Sequence, residues 1–69
     1  MKLLVELGFE CYHKPTQSWH THTTERAIGA VSRKHAITKG LKIAERMPGH
    51  ADRAGHPDWD CSVFARINE

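Results

Sequence analysis

The sequence predicts an α+β fold, a small antiparallel β-sheet of three to four strands packed against one α-helix in the order β-β-α-β-β. Three observations carry this. Apolar residues alternate with polar ones at both ends of the chain, the period of strands with one buried face. A helical stripe follows a capping threonine near the middle. The chain has 69 residues, which makes residues 1–69 a single small domain whose apolar core contributes only about 3–5 kcal/mol of net stability.

The first strand is the plainest. Leu3, Val5, Leu7, Phe9 and Cys11 fall on one face, and Lys2, Glu6, Glu10 and Tyr12 fall on the other. A short helix over residues 2–7 stopped by Gly8 competes, but the alternation runs past Gly8 and no N-cap precedes residue 2. Lys14-Pro15-Thr16 reads as a turn, because proline fixes its own φ and holds the preceding residue extended. Gln17 to His22 alternate again, Trp19 and Thr21 against His20 and His22, as a shorter second strand that closes a hairpin.

Thr23 or Thr24 suits a helix N-cap, with Glu25 in a first turn that favours an acid. Ala27, Ile28, Val31 and His35 form one stripe, and Lys39-Gly40 supplies a basic last turn and a stop. The expectation is a helix over residues 24–37. Leu41, Ile43 and Met47 then alternate with Lys42, Ala44 and Arg46 as a third strand over 41–47. Pro48 to Asp58 read as loop, with the tetrapeptides Gly49-His50-Ala51-Asp52 and Gly55-His56-Pro57-Asp58 as successive turns. Trp59, Cys61, Val63, Ala65 and Ile67 alternate with Asp60, Ser62, Phe64 and Arg66 as the last strand. Trp19 and Trp59 are expected to anchor the core.

Composition bounds the function without naming it. Hydrophobic residues are 39% and charged residues 26% of the chain, the profile of an ordered domain rather than a disordered one. No apolar run approaches the roughly 20 residues that span a bilayer. Met1 to Val5 imitate the start of a signal peptide, but Glu6 ends the apolar run, so the expected location is the cytoplasm and no membrane partner is expected. In that compartment Cys11 and Cys61 are expected to be small buried residues rather than a bridge, although they would sit side by side if their strands pair.

The net charge of +2 conceals an asymmetry. Arg26, Arg33, Lys34, Lys39, Lys42 and Arg46 cluster between residues 26 and 46 with Glu45 as the only acid. Such a segment attracts phosphate or an acidic protein surface, or simply forms a solvated helix face. With the odd-numbered positions under the helix, Lys2, Tyr12, Lys42, Arg46, Phe64 and Arg66 are expected on an open sheet face, among Glu6, Glu10 and Glu45. Rings among cations suit RNA or DNA contact, and an exposed Phe equally suits a homodimer contact. The candidate binding residues are Arg26, Arg33, Lys34, Lys42, Arg46 and Arg66.

Chemistry is less well marked. Cys11-x-His13 and His20-x-His22 each place two ligating side chains on one strand face, and Cys11, His13, His50 or His56, and Cys61 would make a metal set. The close pairs of cysteines that mark zinc sites are lacking, and no cofactor is expected. Ser18 and Ser32 lie in no nucleophile motif and the glycines form no phosphate loop, so no enzyme is expected, with His20 or His22 the candidate bases otherwise.

Two resemblances add to this. The run Thr23-Thr24-Glu25-Arg26-Ala27-Ile28 through Ala30-Val31-Ser32-Arg33-Lys34, then Gly40-Leu41-Lys42-Ile43-Ala44-Glu45, resembles the helix-plus-strand unit of small phage-encoded anti-CRISPR proteins. That resemblance is one of organisation and size, and no functional residue carries over from it. It implies a non-enzymatic inhibitor that occupies the nucleic-acid path of a type I CRISPR interference complex, sometimes with DNA contact of its own. Separately, Leu3-Leu4-Val5-Glu6-Leu7-Gly8-Phe9 and Ser18-Trp19-His20 are similar to the opening helix, Gly turn and catalytic strand of mRNA-cleaving toxins, with Gln17 where that family has Gly. It implies a catalytic role for His20.

Overall fold

A computed structural model describes residues 1–68. Strand β1 (Lys2–His13) and strand β2 (Ser18–Gly29) form a long hairpin; helix α1 (Arg33–Glu45), the single-turn helix α2 (Pro48–Ala51) and strand β3 (Trp59–Ile67) follow. The sheet order is β2-β1-β3, and both partners run antiparallel to β1. The arrangement is therefore α+β with a three-stranded antiparallel sheet, in the order β-β-α-β rather than β-β-α-β-β.

β1 is central because its odd-numbered residues are the best apolar set in the chain. Val5, Leu7 and Cys11 are completely buried, with Phe9 nearly so; each aliphatic side chain of this kind contributes about 1.5–3 kcal/mol on burial. Its register with β2 pairs Leu3 with Ile28, Leu7 with Thr24 and Cys11 with His20. Its register with β3 pairs Leu7 with Ala65 and Cys11 with Cys61.

The segment expected to be helical, residues 24–37, is divided between strand and helix. β2 continues from the hairpin to Gly29 and pairs along its whole length with β1, since a strand rich in Thr and carrying Ile28 near its end satisfies the backbone of β1 over twelve residues. The N-cap is Ser32 rather than Thr23 or Thr24: its hydroxyl accepts from the His35 amide at 3.1 Å, and His35 Nδ1 accepts from the Val31 amide at 3.1 Å. The unit likened to an anti-CRISPR helix followed by a strand is here a strand followed by a helix. The opening segment likened to a toxin helix is the strand β1.

Residues 41–47, expected as a strand, are the end of α1 and its exit. The helix seats through Ala36, Gly40 and Ala44, all buried and four apart. Gly40 is an interior contact rather than a stop. A Cβ there would stand 3.0 Å from Ala65 Cβ and 3.1 Å from Val5 Cγ1, so only glycine lets the helix lie this close to β1 and β3.

Residues 48–58 are more ordered than a loop. α2 presses Gly49 onto the Phe9 ring, His50 Nδ1 donates to Glu45 O at 3.0 Å, and Gly55 takes φ 82° in the turn before β3. Thus Gly49-His50-Ala51 is helical, while Gly55 to Asp58 form the expected turn. Cys11 and Cys61 form a disulfide, not two separate buried thiols. They face each other directly across β1 and β3 with their Cα atoms 4.1 Å apart, the narrow spacing of a non-hydrogen-bonded antiparallel pair. The bridge also consumes the two sulfurs that a Cys11, His13, His50 or His56, and Cys61 metal set would need. No helix among the described residues is long and apolar enough to cross a membrane.

Candidate nucleic-acid interface

α1 lies over β1 and β3 and touches β2 little. The same face of β2 is thereby left open, with His20, His22 and Arg26 exposed and Thr24 half-buried. Between β2 and the flank of α1 runs a cavity of about 510 Å³, lined by Arg26, Ile28, Lys39, Lys42, Ile43, Arg46, Met47 and Pro48. A second cavity of about 400 Å³ adds Phe9, His22, Thr24 and Gly49 and shares Arg26, Met47 and Pro48 with the first. The two form one trough with an apolar floor and cationic rims.

Helical spacing builds one rim. Lys39, Lys42 and Arg46 stand at i, i+3 and i+7, which places them on one side of α1. Arg26 faces them from β2. Lys39 Nζ donates to Gly29 O at 2.7 Å, tying the helix to the strand end. Arg26, Lys42 and Arg46 have no carboxylate partner among the described residues, so their charge is available to an incoming anion.

Of the residues marked from sequence, the fold brings Arg26, Lys42 and Arg46 together and adds Lys39, which the strand assignment of 41–47 concealed. Arg33 and Lys34 are on the first turn of α1 and line neither cavity. Arg66 is on the far face of the sheet, where it pairs with Glu6. That far face corrects the expected list of open-face residues, since Lys42 and Arg46 belong to the trough. Register places Glu6, Glu10, Glu25 and Asp60 there with Lys2 and Arg66, an acidic balance around Phe64, Tyr12 and Trp19. Trp19 is no core anchor: it is paired with Tyr12 at 5.0 Å between ring centroids and is 64% exposed. Trp59 is half-buried on the helix side, with His13 4.4 Å away and the Arg53 guanidinium 4.7 Å from its ring.

A second constellation lies at the hairpin end. His13 Nδ1 meets Thr16 Oγ1 at 2.6 Å, Thr16 Oγ1 meets Ser18 Oγ at 2.7 Å, and Ser18 Oγ meets His20 Nε2 at 3.2 Å. The His20 ring sits edge-on to Trp59 at 5.1 Å. This chain of hydroxyls orients the half-buried His13 imidazole and the exposed His20 imidazole, but no carboxylate among the described residues completes it. Among the described residues no group of three or more His, Cys, Asp or Glu is placed to hold a metal ion. Comparison of the chain with protein-family models, with curated proteins and with solved structures finds no match.

Proposed function

We propose that this is a non-enzymatic binding protein that holds a nucleic-acid backbone in the trough between β2 and α1. The observation that carries the reading is the convergence of Arg26, Lys39, Lys42 and Arg46 on one apolar-floored trough, none of them with an acidic partner among the described residues. Cations on a rim supply sequence-independent attraction to phosphate, and an apolar floor accepts sugar and base surfaces. In its specific form the reading is inhibition by occlusion, the protein taking the nucleic-acid path of a type I CRISPR interference complex in the cytoplasm. That form requires the Cys11–Cys61 disulfide to persist in a compartment where disulfides are rare; recovery of the oxidised pair from cells lysed with a thiol-blocking reagent is the expected result, and recovery of reduced thiols would remove the cytoplasmic form of the reading.

The test is binding to an unstructured oligonucleotide and to a duplex across a salt series. Four phosphate contacts give a log–log slope of about −3 on a single strand. Lys42→Glu with Arg46→Glu should make that slope shallower by about 2 and weaken binding at least tenfold at low salt. Arg33→Glu with Lys34→Glu, outside the trough, should change affinity far less. Equal losses in the two double variants would reject the trough in favour of diffuse attraction. Binding of an acidic protein in place of either nucleic acid would redirect the reading to a protein partner.

The Ser18–His20 hydrogen bond at 3.2 Å supports a second reading, RNA cleavage with His20 as the acid–base group. Loss of RNA turnover in His20→Ala, with trough binding intact, would select it. Absence of turnover in the unaltered protein would remove it.

A further inference from the structure

We infer that two copies of this chain pair antiparallel along β2, joining their sheets into one of six strands. Met1 and Ala30 exchange both backbone hydrogen bonds, at 2.9 and 2.8 Å. Antiparallel ladders alternate, so the even-numbered residues of β2 bond to β1 and the odd-numbered ones direct their N–H and C=O groups outward. The last of these carbonyls, at Gly29, accepts from Lys39. Trp19, Thr21, Thr23, Glu25 and Ala27 remain as an edge with unfilled backbone positions; it has neither proline nor lysine, its register is unbroken, and Glu25 is the one charged residue among these five.

This edge is self-complementary. With Thr23 facing its own copy, Thr21 meets Glu25 and Trp19 meets Ala27, which uses the open run and stops before the occupied Gly29. About ten backbone hydrogen bonds form across such a run. On the helix side His22 meets Thr24 and His20 meets Arg26, so no two carboxylates and no two Lys or Arg side chains are opposed. The exposed Trp19 gains cover over its partner's Ala27. Pairing like with like closes a two-fold dimer, whereas β2 against the β3 edge would run on as an open polymer.

The pairing gives the trough its occupant class, and here it rests on the proposed nucleic-acid reading. Both helices would stand on the same face of the joined sheet, each about one and a half strand spacings from its own β2. Their axes are then about 19 Å apart, which leaves roughly 9 Å between helix surfaces. That channel, floored by two β2 strands and walled by Lys39, Lys42 and Arg46 from both sides, takes a single strand and is too narrow for a duplex.

Sedimentation equilibrium tests the pairing apart from binding. The unaltered protein should reach twice the chain mass of 7.8 kDa, and Thr23→Pro, which removes only an outward amide, should fall to the monomer mass with its circular dichroism retained. Should Thr23→Pro unfold, Thr23→Lys opposes two ammonium groups at the same point and should dissociate the dimer likewise. A monomer mass at about 100 μM chain, well above the dissociation constants of specific pairs, would overturn the inference, as would a dimer unaffected by both variants. A monomer that still binds oligonucleotide in the trough rejects the pairing alone. A dimer that binds none rejects the nucleic-acid reading alone.

Discussion

β2 and β3 are both edge strands on β1, yet they are held in opposite ways. β3 is pressed under α1, bridged to β1 through Cys11–Cys61, and fastened at its start by Trp59 between His13 and Arg53. β2 has a full ladder to β1 but cover only at Ile28 and in part at Thr24, with its other residues from Trp19 to Ala27 exposed. In a chain this short the apolar material covers one half of the sheet and leaves the other half to solvent and charge. The difference teaches that stability and binding are divided between two strands, so perturbations of each half should have separable effects.

The largest effect should come from the β3 side. The disulfide closes a separation of 50 residues, which by loop entropy corresponds to about 4 kcal/mol, comparable with the whole net stability of a domain this size. Reduction, or Cys61→Ser, is expected to lower Tm by about 20 °C, read by thermal circular dichroism. An unchanged Tm would mean that β3 is held by the helix alone and would erase most of the contrast.

Next in size is Gly40→Val. Its branched side chain must displace α1 from Val5 and Ala65, at a cost of about 2 kcal/mol. A neutral result by chemical denaturation would show that α1 is not seated closely on the β3 half. On the β2 side the expectation reverses. Arg26→Ala removes an exposed side chain with no acidic partner among the described residues, so stability should stay within about 0.5 kcal/mol, while oligonucleotide affinity falls several-fold and the salt slope loses about one unit. A large loss of stability would mean that Arg26 is structural, and the division between strands would fail.

The same division explains what the sequence could and could not convey. β1 and β3 were legible because each has one covered face, and Leu3-Val5-Leu7 or Cys61-Val63-Ala65 record that cover as alternation. β2 beyond His22 was not, because His20, His22 and Arg26 face solvent on the helix side as much as Trp19 and Thr21 do on the other. With no covered face there is no period of two, and Ala27, Ile28, Val31 and His35 then read as a helical stripe. α1 was displaced for a related reason. Its buried stripe is Ala36, Gly40 and Ala44, small residues chosen for close approach, and Gly40 out of context reads as a terminator. The charge cluster was legible as a cluster. Which of its members converge depends on the helical register, and this is why Lys39 joined Arg26, Lys42 and Arg46 while Arg33, Lys34 and Arg66 did not.

The smallest effect concerns the hairpin that holds β2 out from the body. Gln17 follows Lys14-Pro15-Thr16 and has φ 54°, with its amide donating to Lys14 O at 3.3 Å. A left-handed residue with a Cβ costs about 1–2 kcal/mol, and glycine recovers this while giving back about 0.5–1 kcal/mol of extra chain entropy in the unfolded state. Gln17→Gly should therefore stabilise the protein by about 0.5 kcal/mol, raising Tm by a few degrees. Because the turn sets the registry of β2 on β1 but touches neither trough nor disulfide, affinity should be unchanged. A gain in stability accompanied by a loss of binding would show that the turn also governs how β2 presents Arg26 to the trough, and that the two strands are coupled through β1 after all.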